Sequence, residues 1–557
     1  MYQDHKVLIG KSGDENIYIY PKMANRHGLI AGATGTGKTI TLKVMAESFS
    51  DCGVPVFLAD VKGDLAGMCR PGVINENLQN RITRFGLEEY GFDCHAYPVN
   101  FWDIYGEKGM PLRTTVSEMG PLLMGRILGL NDTQTDILTV VFKIADDEGL
   151  LLLDTKDLKS MLQFVGENAA DYQLQYGNIA RTSVAAIVRA IVALEAEGGE
   201  LFFGEPALDI REWMARDCDG KGVIQVLDCQ KLINNPTMYS TFLLWMMSEL
   251  FETLPEAGDL EKPKMVFFFD EAHLLFNNAS KSLLAKIEQV VKLIRSKGVG
   301  IYFITQNPSD IPGGILSQLG NKVQHALHAY TPAEQKGIKA AAQSFRVNPE
   351  LDTIETLTNL GIGEALVSVL DESGVPTIVK ATKILPPQSL MGAIDDVTRN
   401  HEVTGNLLYT RYAQMVDRES AYEILAAHVM EMAEQARLAR EQAEQEKQEA
   451  REAALAEKQR QREEAAAERQ AERERIAAEK QALKEKAAAE KAAAKAAADK
   501  KKATTKVVKS VASATGSTIG RELGNTLGKT VGGTFGKRLG GNVGSALGRG
   551  ILSTFFK

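Results

Sequence analysis

A chain of 557 residues, 44% of them apolar and 24% charged, is long enough for several packed cores and too apolar for a disordered protein. Its net charge of −8, from 64 Lys and Arg against 72 Asp and Glu, excludes a uniformly basic nucleic-acid coat but not a motor with a basic channel. Five scattered cysteines without a CxxC pair exclude a disulfide framework and a cysteine zinc site. No apolar leader opens the sequence and no apolar run of spanning length follows, so a cytoplasmic protein is expected.

Residues 1–25 read as a hairpin, VLIG and NIYIY around the turn signal KSGDEN. From 26 to 385, apolar strand-like runs alternate with helical stretches, the pattern of an α/β sheet. The expected strands are HGLIAG (27–32), VPVFLAD (54–60), GVIQVLD (222–228), KMVFFFD (264–270), VGIYFIT (299–305) and KVQHALHAY (322–330). Most are continuously apolar, as in parallel strands covered on both faces. Helical periodicity in TQTDILTVVFKIADDE and IARTSVAAIVRAIVALEAE places a helical subdomain at about 115–215. GEALVSVLDESGVPTIVKAT reads as a hairpin closing the core, Pro386–Pro387 marks its end, and 386–418 reads as a linker and the start of a helix.

Residues 419–505 are Ala, Glu, Lys, Arg and Gln with almost no Gly or Pro, enough for a helix of roughly 130 Å. Leu438, Leu455, Ile476 and Leu483 do not hold a heptad, so a solvated helix laced with ion pairs is favoured over a coiled coil. From 506 the chain turns basic. Glycine recurs at every fourth position from Gly516 to Gly548, each but the first preceded by an apolar residue. Nine helical glycines cost about 9 kcal/mol, so a helix forms there only if its smooth face packs on another. Peripheral binding to anionic lipid and self-association of tails both fit this composition, and disorder is the plainer alternative.

GATGTGKT spans Gly32, Ala33, Thr34, Gly35, Thr36, Gly37, Lys38 and Thr39, after an apolar strand and before a helix. It is a complete phosphate-binding loop for ATP. The glycines let backbone N–H groups wrap the phosphates, Lys38 reaches the β and γ phosphates, and the Thr39 hydroxyl ligates Mg²⁺. In KMVFFFDE, Asp270 is expected to hold Mg²⁺ through water and Glu271 to polarise the attacking water. Gln306, at the tip of FITQN, is the candidate γ-phosphate sensor. Arg295 precedes that strand by its whole length, about 30 Å from the nucleotide end. It is therefore the candidate finger for a neighbouring subunit's site, and Arg26 is a weaker one. His273 is given no role.

The DEAH string at 270–273 would suggest a helicase class with two such cores per chain and an arginine-rich closing motif. This chain has one core and no such motif. The order NRHGLIAGATGTGKT, DVKGDL, VFFFDEAHLLF and IRSKGVGIYFITQNPSDIP instead resembles the HerA/FtsK clade of ring ATPases. With FFGEPALDI and the glycine-bearing C-terminus it is similar to bacterial YjgR-type proteins with a HerA-like helicase C-terminal domain. The resemblance implies a RecA-like P-loop core with a mostly parallel sheet and a helical insertion. It also implies a homohexameric ring with ATP sites between subunits, Arg295 acting in trans, and double-stranded DNA as cargo. Asp60 and Asp64 of DVKGDL match a motif of the clade and take support roles. HerA carries a sizeable N-terminal β-barrel where only residues 1–25 precede the core here. Two other readings stay open: a related ring ATPase moving protein or working at a membrane, and an ATP-gated scaffold.

Overall fold

Every apolar run expected as a core strand contributes to one sheet, although the run expected at 322–330 does so only as far as His325, with 326–328 outside the strand. The computed structural model describes residues 1–493 apart from Asn278, Ser280, Ala329 and Tyr330. Its thirteen strands are β1 (Tyr2–Gln3), β2 (Lys6–Ser12), β3 (Glu15–Ile19), β4 (Gly28–Ala31), β5 (Val56–Asp60), β6 (Val99–Asp103), β7 (Met110–Pro111), β8 (Ile224–Asp228), β9 (Met265–Phe269), β10 (Val299–Thr305), β11 (Asn321–His325), β12 (Glu364–Ser368) and β13 (Lys380–Ile384). They are ordered β1-β2-β13-β12-β11-β4-β10-β9-β5-β8-β6-β7, with β3 on β2. From β11 to β7 every pairing is parallel, so all these strands end on one edge. β12, β13, β2 and the short strands beside β2 extend the sheet antiparallel. This is the RecA-like P-loop architecture.

The three phenylalanines of β9 show why these strands are apolar throughout. Phe267 and Phe269 point to one face and pack on Phe57, which stacks on Trp213 at 5.1 Å. Phe268 points to the other, against Phe49 of the helix Lys38–Asp51 and Tyr302 of β10. All three are fully buried. A strand covered on both faces has no polar side to alternate.

Between β7 and β8 the chain is helical, with helices Val116–Ile127, Asp132–Glu148, Thr155–Glu167, Ala169–Tyr176 and Arg181–Ala196. Reciprocal capping boxes at Thr115 with Glu118, Asn131 with Gln134, and Asp154 with Asp157 start three of them.

Two segment boundaries differ from expectation. The 1–25 hairpin is not separate, because β2 pairs with β13 through Lys11–Lys383 and Gly10–Ile384. Residues 386–418 are not a free linker but a strap across the core. Buried Glu47 accepts the N–H groups of Gln388 (2.8 Å) and Ser389 (3.1 Å), and Tyr412 packs edge-on against Trp102 at 5.2 Å. Pro386 and Pro387 end a strand without releasing the chain, because acceptors on the core satisfy the next donors. The strap closes on the helical subdomain, where the Ser420 hydroxyl donates to Asp157 (2.6 Å).

The chain divides into units Met1–Glu423 and Ile424–Lys557. The helix Ala421–Ala493 supplies the described part of the second, about 110 Å long in all. It is solvated, with Arg437 paired to Glu434 and Glu441. The glycine-repeat tail lies outside the described residues. No helix among the described residues is long and apolar enough to cross a membrane.

Candidate active site

β4 delivers the phosphate-binding loop from the middle of the sheet, between β10 and β11. Gly32, Gly35 and Gly37 have φ of 153°, 79° and 113°. At two of them space also demands glycine. A Cβ on Gly32 would stand 2.5 Å from the Cβ of His325, and one on Gly37 only 3.2 Å from the backbone of Gly363. The helix Lys38–Asp51 then begins with no acidic residue in its first turn, leaving its positive end open to an anion. Thr34 and Gly35 are exposed at the loop crest, and Thr39 is half-buried in the first helical turn. Lys38 Nζ donates to the Gly32 and Ala33 carbonyls at 2.6 and 3.0 Å. Burial lowers its pKa, opposed by the charges of Asp270 and Glu271.

Asp270 and Glu271 follow β9 on the same edge. Burial, and then the charge of Glu271, raises the Asp270 carboxyl to about 6. Glu271 has a left-handed backbone, φ 47°, uncommon for a side chain of its kind. Tyr239 holds this turn by donating to the Asp270 carbonyl (2.6 Å), and the Ala272 N–H ties it to Ile304 of β10 (2.9 Å). Glu271 Oε2 is buried without a hydrogen bond, although His273 Nδ1 lies 3.3 Å away. His273, given no role from sequence, is therefore a neighbour of the candidate base.

Gln306 is exposed one residue beyond β10, next to Thr305, whose carbonyl accepts the Gly32 N–H (3.3 Å). The sheet thus brings together the loop, Asp270, Glu271 and Gln306. It does not bring Arg295, which sits in the turn Ile294–Lys297 before β10, about 23 Å away along that strand. Arg26 is on that far edge too, its guanidinium against Gly374 of the β12–β13 connection.

Asp60 ends β5, fully buried, and its two oxygens accept the N–H groups of Gly63 (2.7 Å) and Leu65 (3.1 Å). It therefore shapes the DVKGDL loop, and burial, with Asp64 adding to it, raises its pKa to about 7. Lys62 at the loop's tip is close enough for its charge to act on both Asp270 and Lys38.

Sequence reasoning missed His325. It lies beneath the loop, its Nε2 2.8 Å from the Thr41 hydroxyl, its Nδ1 buried without a partner, and burial lowers its pKa to about 4. A histidine within the expected strand at 322–330 was visible, but its place under the loop depends on β11 pairing with β4, which one sequence does not declare.

The family described as "Helicase HerA-like C-terminal" matches residues 5–478, most of the chain. The chain belongs to this HerA-like family. It is accordingly a P-loop ATPase. Among curated relatives, a probable helicase of Methanocaldococcus jannaschii is 31% identical over 170 residues, covering 29% of this chain and 31% of the relative. The DNA double-strand break repair helicase HerA of Sulfolobus acidocaldarius is 22% identical over 383 residues, 68% of each chain. The match thus spans less than a third of the length of the Methanocaldococcus relative. Among solved structures, VirB4 of Thermoanaerobacter pseudethanolicus is 16% identical with a TM-score of 0.45, covering 69% of this chain and 97% of that one. The bacterial conjugative coupling protein TrwB is 14% identical with a TM-score of 0.43, covering 71% and 92%.

Proposed function

We propose that this HerA-like ATPase is a ring motor that hydrolyses ATP to translocate double-stranded DNA, working as a cytoplasmic homohexamer. The observation that carries the reading is the separation of its catalytic groups between two sheet edges. Lys38, Thr39, Asp270, Glu271 and Gln306 share one edge, and Arg295 stands at the other end of β10. An arginine some 23 Å from its own site completes only a neighbour's, so the chemistry calls for a closed ring.

In this reading Lys38 leaves the Gly32 and Ala33 carbonyls for the β and γ phosphates, which also take the N–H groups of residues 35–39. Glu271, with an oxygen lacking a donor, accepts a proton from the attacking water, and Gln306 orients that water from β10. Arg295 of the adjoining subunit meets the charge growing on the transferred phosphoryl group. The Thr39 hydroxyl and the Asp270 carboxylate suit Mg²⁺, which when bound neutralises charge on the β and γ phosphates. DNA as cargo is supported by the family and by relatives named as DNA repair helicases.

The test is ATP turnover by the full chain with and without long double-stranded DNA, beside Glu271→Gln. Severalfold stimulation by DNA, absent in the variant, supports the proposal. Turnover that needs Glu271 but ignores DNA overturns the cargo and favours a protein- or membrane-directed motor.

A further inference from the structure

The catalytic carboxylates flank the phosphate-binding loop on one side only. In the order β11-β4-β10-β9, Asp270 and Glu271 leave the sheet two strands away, across β10. On the opposite side the loop is backed by Gly363, which immediately precedes β12. Its N–H donates to the Thr36 carbonyl (3.0 Å), and its N and Cα stand 3.2 Å from where a Cβ on Gly37 would lie.

Gly363 is in turn covered by Arg81. A Cβ on Gly363, which has φ +77°, would lie 2.7 Å from Arg81 Nη2 and 3.4 Å from Nη1. Gly363 thus adjoins both this guanidinium and the loop's backbone at Thr36 and Gly37. The helix Glu76–Phe85 that carries it buries Leu78, Ile82 and Phe85, which fixes Arg81 on the flank of its apolar face. Arg81 is half-buried, and among the described residues no carboxylate pairs with it. A cation placed at an anion-binding loop, without an anion of its own, is short of a partner.

A nucleoside triphosphate has two ends. With its γ-phosphate toward Glu271, its α-phosphate and nucleoside run to the other side of the loop, where Gly363 and Arg81 stand. We propose that Arg81 is a nucleotide-binding residue acting in cis on the nucleoside monophosphate end of ATP, the part shared with ADP and AMP. This deepens the ATPase reading and rests on its nucleotide site. It gives the β12 side of the loop a positioning role distinct from the hydrolytic role of the β9 side. Gly363 then serves as the spacer that lets the guanidinium reach the loop.

The experiment is calorimetric binding of ADP and of a non-hydrolysable ATP analogue to the full chain, with steady-state ATPase in parallel. Arg81→Ala should weaken both nucleotides about equally, by roughly tenfold, and raise KM similarly, while kcat at saturating ATP stays within about twofold. Arg81→Lys should recover part of the affinity, which a merely structural loss would not, and both variants should keep the parent melting temperature without nucleotide. Unchanged affinity in Arg81→Ala overturns the proposal. So does weakening confined to the triphosphate, which would move Arg81 to the γ-phosphate end, or a collapse of kcat at unchanged affinity. Binding is measured without DNA, so a failure of the translocase reading leaves this test intact.

Discussion

Arg399 of the strap places its guanidinium 3.5 Å from the Asp228 carboxylate at the end of β8, with both side chains less than a tenth exposed. Arg399 also lies over the Phe101 ring at 5.1 Å and donates to the Lys108 carbonyl (3.4 Å). A charge pair this deep repays its desolvation only while both members are present. Arg399→Met should therefore destabilise the folded unit by about 3–5 kcal/mol in urea denaturation, leaving Asp228 buried without its ion-pair partner. The double variant Arg399→Met with Asp228→Asn should recover most of that loss. Equal destabilisation by both would show that the strap's packing, not the pair, matters.

Glu271→Gln keeps the shape of the left-handed turn and removes the proposed base. It should lower kcat by roughly 10² to 10⁴ while ADP affinity changes little. Quenched-flow measurement of the hydrolysis step reads this directly, and a variant retaining most of its turnover would remove Glu271 from the role.

Arg295→Ala should cost on the order of 10³ in kcat. Because Arg295 and Glu271 lie at opposite ends of the sheet, two inactive variants should complement each other. In the proposed ring, mixing Arg295→Ala and Glu271→Gln subunits creates interfaces with both residues intact. Recovered turnover on mixing is the expected outcome; a mixture that exchanges subunits and stays inactive would place Arg295 outside the site.

Gly37→Ala adds a Cβ 3.2 Å from Gly363 at a backbone angle of 113°. Backbone strain of this kind costs about 1–3 kcal/mol, so nucleotide affinity should fall by tenfold or more with the rest of the fold intact. Titration with ADP and a thermal melt without nucleotide separate the two effects.

Asp60 links stability to pH. Its carboxyl titrates at about 7 in the fold, against 3.8 for the ordinary side chain, because burial disfavours its charge. The folded state therefore holds a proton that the unfolded state releases. Its contribution to stability is complete below pH 3.8 and is lost as pH rises through about 7. Asp270, raised to about 6, acts in the same sense. The melting temperature of Asp60→Asn should fall less between pH 5 and pH 8 than that of the parent, and parallel curves would contradict the shift.

The legible and illegible parts of this molecule separate along a physical line. Strands β4, β5, β8, β9 and β10 were readable because two-sided burial makes each largely apolar, whereas β11 is polar at four of its five positions and was signalled only by the apolar residues around it; GATGTGKT and Asp270–Glu271 were readable because their chemistry is local. β6, the chain VNFWD, was missed; its asparagine and aspartate break the apolar run, although Trp102 within it is fully buried. The Glu47 clamp on Ser389, the His325 support under Gly32 and the Arg81 contact with Gly363 all join residues far apart in the chain. Each is a product of sheet order, and local composition carries no record of it.

The pairing of β2 with β13 has a consequence for how the chain is made. Gly10 waits for Ile384 before its edge of the sheet exists. At a synthesis rate of about 5–20 residues per second, the ribosome needs roughly 20–75 s to supply that partner. Through that interval the nucleotide loop has been made but the antiparallel flank backing it has not. Newly made chains should therefore acquire protease resistance and nucleotide binding together, and only after residues 380–384 have left the ribosome.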